Sequence, residues 1–142
     1  MNYGYAPLES EDAIPSLSQE DEPNRYSIQL YHHLASAVNL QSLRVLEVGS
    51  GRGGGAHYHK RYFTPKTMVG VDFSKNAVSL CQEHYHIDGL SFVPGDAEAL
   101  PFRENAFDVV LNVESSHCYA SMGQFLSQVN RVLKPGGYFL FA

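Results

Sequence analysis

The sequence predicts an α/β fold, a parallel β-sheet with helices packed on both of its faces. Three observations lead there. Short runs of β-branched and other apolar residues recur at 44–49, 68–72, 90–94, 107–112 and 137–142. Between most of them lie stretches whose apolar residues repeat at three- and four-residue steps, the period of a helix with one buried face. The first run passes straight into a glycine cluster, where a strand can turn tightly and open a helix. Strands joined through helices run parallel, and a parallel sheet is covered on both sides.

Taken in order, residues 1–23 read as an irregular acidic lead-in. Pro7, Pro15 and Pro23 break any helix, and six acids stand there without a Lys or Arg. Most of the net charge of −5 therefore sits in this segment. An acidic lead-in of this kind is ordinarily just solvated; Tyr3 and Tyr5 make it more aromatic than a simple solubility tag, and the competing reading is that they fold back over a site. Residues 24–38 predict a helix with Asn24 as cap and Ile28, Tyr31, Leu34, Ala35 and Val38 on one face. The strand at 44–49 is followed by a helix over 53–63 and a strand at 68–72. Ser74 can cap a helix over 75–86 that buries Ala77, Val78, Leu80 and Cys81. Strands at 90–94 and 107–112 come next. A helix over 121–133 carries Met122, Phe125, Leu126, Val129, Val132 and Leu133 on one face. Lys134-Pro-Gly-Gly137 stops it, and a fifth strand starts at Gly137.

At 142 residues and 15.8 kDa the chain has the size of one domain. Cys81 and Cys118 form no disulfide framework and no zinc spacing, so they are expected to be reduced thiols in a cytoplasmic protein. No apolar run approaches the ~20 residues of a membrane-spanning helix, and the first residues carry no signal-peptide pattern. No basic stripe exists to neutralise phosphates, which argues against a nucleic-acid partner. The pairs His57/His59 and His84/His86 lack evident third ligands, so no metal is expected, and these histidines take ordinary structural readings.

The most informative segment is Glu47-Val-Gly49-Ser-Gly51-Arg-Gly53-Gly54-Gly55. Five glycines in seven residues weaken a helix start unless something needs the room. Gly49-x-Gly51-x-x-Gly54 fits a dinucleotide fingerprint by spacing, but that match is weak alone. Glu47 separates two cofactor classes. A carboxylate beside a pyrophosphate would repel it, whereas beside a cationic sulfonium or ammonium it is favourable. The pattern thus points to S-adenosylmethionine over a nicotinamide dinucleotide. Asp72 ends the second strand at the edge where open α/β sheets bind ligands, and its carboxylate can accept from two ribose hydroxyls. Asp96 and the Ala97 N–H, after the third strand, can meet an adenine ring. The competing reading of Asp96 is plain turn chemistry in Pro-Gly-Asp.

These residues also carry a resemblance. Val45-Leu-Glu-Val-Gly-Ser-Gly-Arg-Gly53, Val69-Gly-Val-Asp-Phe-Ser74, Gly95-Asp-Ala-Glu-Ala-Leu-Pro-Phe102, Phe107-Asp-Val-Val110 and Arg131-Val-Leu-Lys-Pro-Gly-Gly137 resemble class I S-adenosylmethionine-dependent methyltransferases of the type 11 branch. Tyr31-His-His-Leu-Ala-Ser36, 47–56 and Asn112-Val-Glu-Ser-Ser-His-Cys-Tyr119 are similar to the phthiotriol and phenolphthiotriol dimycocerosate methyltransferases. The resemblance implies a Rossmann-like sheet in the order 3-2-1-4-5 over residues 24–142. It implies methyl transfer to a hydroxyl of a lipid-like or polyketide-like acceptor, an alcohol or phenol. It places Tyr26, Tyr31, Glu47, Gly49, Gly51, Gly53, Asp72, Phe73, Asp96, Ala97, Glu98 and Asn112 around the cofactor.

An alcohol must lose its proton during transfer, and His117, just beyond the fourth strand, is the first candidate base, with Glu114 the second. The competing reading of His117 is a loop histidine that orders Ser115 or Ser116. Full members of the family continue into a final strand hairpin, which this sequence lacks. The expectation is a fragment of a longer protein, or a fifth-strand edge open to self-association. The alternative functions are a cofactor-binding module without turnover and a NAD-dependent oxidoreductase.

Overall fold

The computed structural model describes residues 2–8 and 15–142. Its strands are β1 (Arg44–Val48), β2 (Thr67–Asp72), β3 (Leu90–Pro94), β4 (Phe107–Asn112) and β5 (Leu133–Phe141). Its α-helices are α1 (Arg25–Ala35), α2 (Gly54–Tyr62), α3 (Lys75–His84) and α4 (Met122–Val132). All strand pairs are parallel, in the order β3-β2-β1-β4-β5, as the sequence resemblance implies.

Alternation along the central strands divides the core in two. Val45, Met68, Val109 and Leu111 point to one face, where Ala35 of α1, Ala56 of α2 and Val78 and Cys81 of α3 cover them. Leu46, Val48, Val71 and Val110 point to the other, beneath Phe125, Val129 and Val132 of α4. A central parallel strand buried on both faces must be apolar nearly throughout, and Val45, Leu46 and Val48 answer that need. Glu47 breaks the run, on the face of α1–α3 and at the carboxyl end of β1.

Several local expectations change. The first helix ends at Ala35, leaving Val38 in the following turn, and Asn24 makes no side-chain capping bond. Ser74 and Ser121 do cap, accepting from the N–H of Ala77 and Gln124. Leu80, Met122 and Leu126, expected on buried faces, are exposed (50%, 45% and 44%). The surface area the sheet covers on α3 and α4 is narrower than the apolar stripe in the sequence. The fifth strand begins at Leu133, directly after α4, and takes in Lys134-Pro-Gly-Gly137 as an irregularity in its pairing with β4. Gly136 supplies the left-handed backbone (φ +79°) that this irregularity needs. Lys134 and the Arg44 N–H both donate to Asp108, tying the bulge to the start of β1.

The lead-in is pinned to the domain at two places. The Tyr5 N–H donates to the Tyr26 carbonyl, and the Tyr5 ring stacks on His33. Asp21 accepts from Ser18, Arg61 and Tyr62, which ties the entry to α1 onto α2. The expectations placed on Glu9, Glu11 and Asp12 lie outside the described residues.

Candidate functional site

In this strand order the chain winds outward from β1 through β2 to β3, then returns to β4 beside β1. The loops after β1 and β4 therefore diverge at the carboxyl edge and leave a crevice. Two cavities, of about 590 Å³ and about 580 Å³, open there. They meet at Gly49, Gly51 and Glu114, which line both.

The glycines of the β1–α2 loop serve different ends. Gly49, Gly51 and Gly53 all have left-handed backbone (φ +77°, +53° and +78°). Gly51 faces open space, whereas a Cβ on Gly49 would lie 2.2 Å from the Ser115 Oγ. A Cβ on Gly53 would strike Phe92, Tyr85 and Cys81. Gly53 thus belongs to the packing under the loop and lines neither cavity. Gly55 is needed for a reason the sequence did not disclose: a Cβ there would lie 2.7 Å from the Glu47 carboxylate.

Glu47 lines the first cavity although it is only 3% exposed. Its Oε2 is sealed from solvent and accepts no hydrogen bond. Tyr31 of α1 stands over it; burial, and then the Glu47 charge, push the Tyr31 phenol above its ordinary range. Asn2, Glu20, Asp21 and Asn24 complete this wall, so the described ends of the lead-in border the crevice. Tyr3 points away, 83% exposed. Tyr26 is 64% exposed and lines neither cavity.

The second cavity is lined by Asp72, Phe73, Asp96, Ala97 and Glu98. Asp72 accepts from the N–H of Gly51 (2.7 Å) and of Ser74 (2.9 Å), one bond to each carboxylate oxygen. Each oxygen keeps a further lone pair for a ligand hydroxyl. Phe73 presents an 80% exposed ring at the rim. Asp96 accepts from the Glu98 N–H, and Glu98 accepts from the N–H of Ala120 and Ser121, anchoring the loop into α4. Glu98 therefore has a structural task alongside its place on the wall.

Asn112 is fully buried and lines neither cavity. Its amide nitrogen lies within hydrogen-bond distance of the Val48 carbonyl, Ser115 Oγ and Tyr119 OH. This cluster packs against Gly49 and fixes the ends of β1 and β4 to each other. Sequence reading missed Tyr119, which lines the second cavity; its only signal was an aromatic residue shortly after a strand end. Glu114 adopts a left-handed backbone (φ +51°), a costly conformation for a residue with a side chain, at the point where the cavities join. His117 is exposed on a short 3₁₀ turn and lies outside both linings.

His59, read from the sequence as ordinary, is fully buried against Glu47, its Nδ1 3.4 Å from Oε2. Among the described residues no group of three His, Cys, Asp or Glu could hold a metal ion, and no helix is long and apolar enough to cross a membrane.

Comparison with known proteins agrees with this architecture. Over 144 aligned residues the chain is 52% identical to a fatty-acid O-methyltransferase of Mycolicibacterium smegmatis, covering 99% of the chain and 51% of the relative. It is 51% identical over 126 residues to the phthiotriol/phenolphthiotriol dimycocerosates methyltransferase of Mycobacterium tuberculosis, covering 89% of the chain and 47% of the relative. The chain thus spans about half the length of the curated relatives it matches. Among solved structures, the [4+2]-cyclase SpnF superposes with a TM-score of 0.79 at 25% identity, covering 99% of this chain and 50% of that one. The YcgJ protein from Bacillus subtilis superposes with a TM-score of 0.72 at 26% identity, covering 78% and 48%. The pattern of a methyltransferase domain matches residues 46–141, from within β1 to the end of β5. With the glycine loop, the strand-end acids and the sheet order all inside that span, the chain belongs to the methyltransferase-domain family.

Proposed function

We propose that the paired cavities bind S-adenosylmethionine and that the protein transfers its methyl group to an oxygen of a lipid-like acceptor. The observation that carries the reading is Glu47, a buried carboxylate on the wall of a cavity that a glycine loop keeps open. A cationic ligand favours that charge, and a pyrophosphate does not. Tyr31, Gly49 and Gly51 accompany Glu47 around the methionine part. Asp72 takes the ribose, and Phe73, Asp96 and Ala97 border the adenine. Gly53, Asn112 and Glu98 act through the loops they hold. Tyr26 covers the outside of α1.

When bound, S-adenosylmethionine supplies an electrophilic methyl carbon on a sulfonium that leaves as a neutral thioether. The chain's main task is then orientation, which can supply roughly 7–11 kcal/mol of a barrier. The rigid Asn112–Ser115–Tyr119 cluster serves that task by fixing the cavity junction. An alcohol acceptor must also give up its proton. We assign that role to Glu114 over His117, since Glu114 lines both cavities and His117 lines neither. A carboxylate acceptor, the group named in the fatty-acid relative, arrives without that proton and needs no base.

Calorimetry tests the cofactor directly: S-adenosylhomocysteine should bind and NAD should not. The reverse result would replace the reading with an oxidoreductase. Methyl transfer to fatty acids and hydroxylated lipids then separates an enzyme from a binding module. With an alcohol acceptor, Glu114→Gln should cut turnover more than His117→Ala, and with a fatty acid neither change should cost much.

A further inference from the structure

A buried histidine stands behind the cofactor-binding carboxylate. His59 lies on α2 and is fully buried; its ring touches β1 on one side and α1 on the other. Nε2 lies 3.3 Å from the Tyr31 carbonyl oxygen. A carbonyl only accepts, so Nε2 carries a hydrogen. Nδ1 lies 3.4 Å from Glu47 Oε2. Both of these atoms are sealed from solvent and have no other partner. If Nδ1 were bare, its lone pair would face the lone pairs of a buried carboxylate, with neither satisfied. One proton between them turns that repulsion into an ion pair.

We propose that His59 is a positioning residue: its ring is protonated at both nitrogens and forms a buried ion pair with Glu47. The pair keeps Glu47 ionised inside the protein and leaves its other oxygen to the cavity. The inference rests on the reading that Glu47 faces the cationic amino-acid part of the cofactor. Two features make the arrangement look built. Gly55 has no Cβ where one would meet the Glu47 carboxylate. The Tyr31 carbonyl links the same histidine to α1, whose Tyr31 side chain lines the cavity. The groups that face the pair are Tyr31 and His32 from α1, Tyr58 from α2 and Cys81 from α3. From β2 and β3 the one ionisable residue is Asp72.

The first test needs no cofactor. In ¹H–¹⁵N spectra of the ligand-free protein at neutral pH, both ring nitrogens of His59 should be protonated. A ring with a bare Nδ1 overturns the proposal. The second test measures S-adenosylhomocysteine binding. His59→Leu should weaken binding at least about tenfold, since it strips a buried carboxylate of its donor. His59→Gln, which can still donate to Oε2, should restore most of the affinity. A His59→Gln variant that binds no better than His59→Leu, or a His59→Leu variant that binds like wild type, overturns the proposal while leaving the cofactor reading intact. Failure of wild type to bind S-adenosylhomocysteine overturns both.

Discussion

At the residue scale, the glycine loop shows how one amino acid can meet unrelated demands a few positions apart. Gly49 and Gly51 share a left-handed backbone, but only Gly49 is crowded, by Ser115 and Tyr119. Gly51→Ala should therefore cost roughly 1–2 kcal/mol for the backbone and narrow both cavities. Gly49→Ala should add about 1–3 kcal/mol for overpacking. Urea midpoints should fall further for Gly49→Ala, while calorimetry with S-adenosylhomocysteine should show binding lost in both. Equal midpoints would mean that the Ser115 cluster yields easily. The glycines were legible in the sequence as a group, but their separate tasks were not. Gly53 and Gly55 answer to Phe92, Tyr85, Cys81 and Glu47, side chains that arrive from other elements. The same holds for His59: a helix turn brings it under Glu47 twelve positions away, and no spacing rule announces that contact.

At the element scale, β3 and β4 have the bounds that their apolar runs imply; β4 is buried along nearly its whole length, and a strand inside a parallel sheet is written in an almost unbroken apolar alphabet. The helices were legible as helices, but their buried faces were overdrawn at Leu80, Met122 and Leu126. The start of β5 was hidden because Pro135 and two glycines read as a stop. They form instead a bulge held by Lys134 on Asp108. The entry to α1 carries a prediction. Burial works to raise the Asp21 carboxyl, but hydrogen bonds from Tyr62, Ser18 and Arg61, with the Arg61 charge, outweigh it and hold the group below its ordinary value. A carboxyl depressed in the folded state stabilises the protein above its unfolded pKa. That contribution is lost as pH falls through the lowered value. Asp21→Ala should cost about 1–3 kcal/mol near neutral pH, and the gap from wild type should close in acid. Hydrogen exchange should also quicken over 15–24. A variant with unchanged exchange there would show that other contacts hold the lead-in.

At the scale of the whole molecule, both cavities lie at one edge of the sheet, and β5 closes its order on one side. An edge strand offers unpaired backbone groups to any other strand. Here the edge is also aromatic: Tyr138 and Phe141 are 53% and 65% exposed, and Phe139 stacks on Phe141. Nothing in β5 resembles the devices that keep edges apart beyond Pro135 and Lys134, and Lys134 is engaged with Asp108. A polypeptide of these 142 residues alone should therefore pair with a second copy through β5 as concentration rises. Sedimentation velocity should show a dimer whose population grows with concentration. Phe141→Lys, which places a charge on that edge, should shift it to monomer while leaving S-adenosylhomocysteine binding in place, because Phe141 lines neither cavity. A chain that stays monomeric at every accessible concentration would show that twist and the Pro135 bulge suffice to protect the edge. A dimer insensitive to Phe141→Lys would place the contact elsewhere, with the exposed Met122 and Leu126 of α4 as the next apolar surface to substitute.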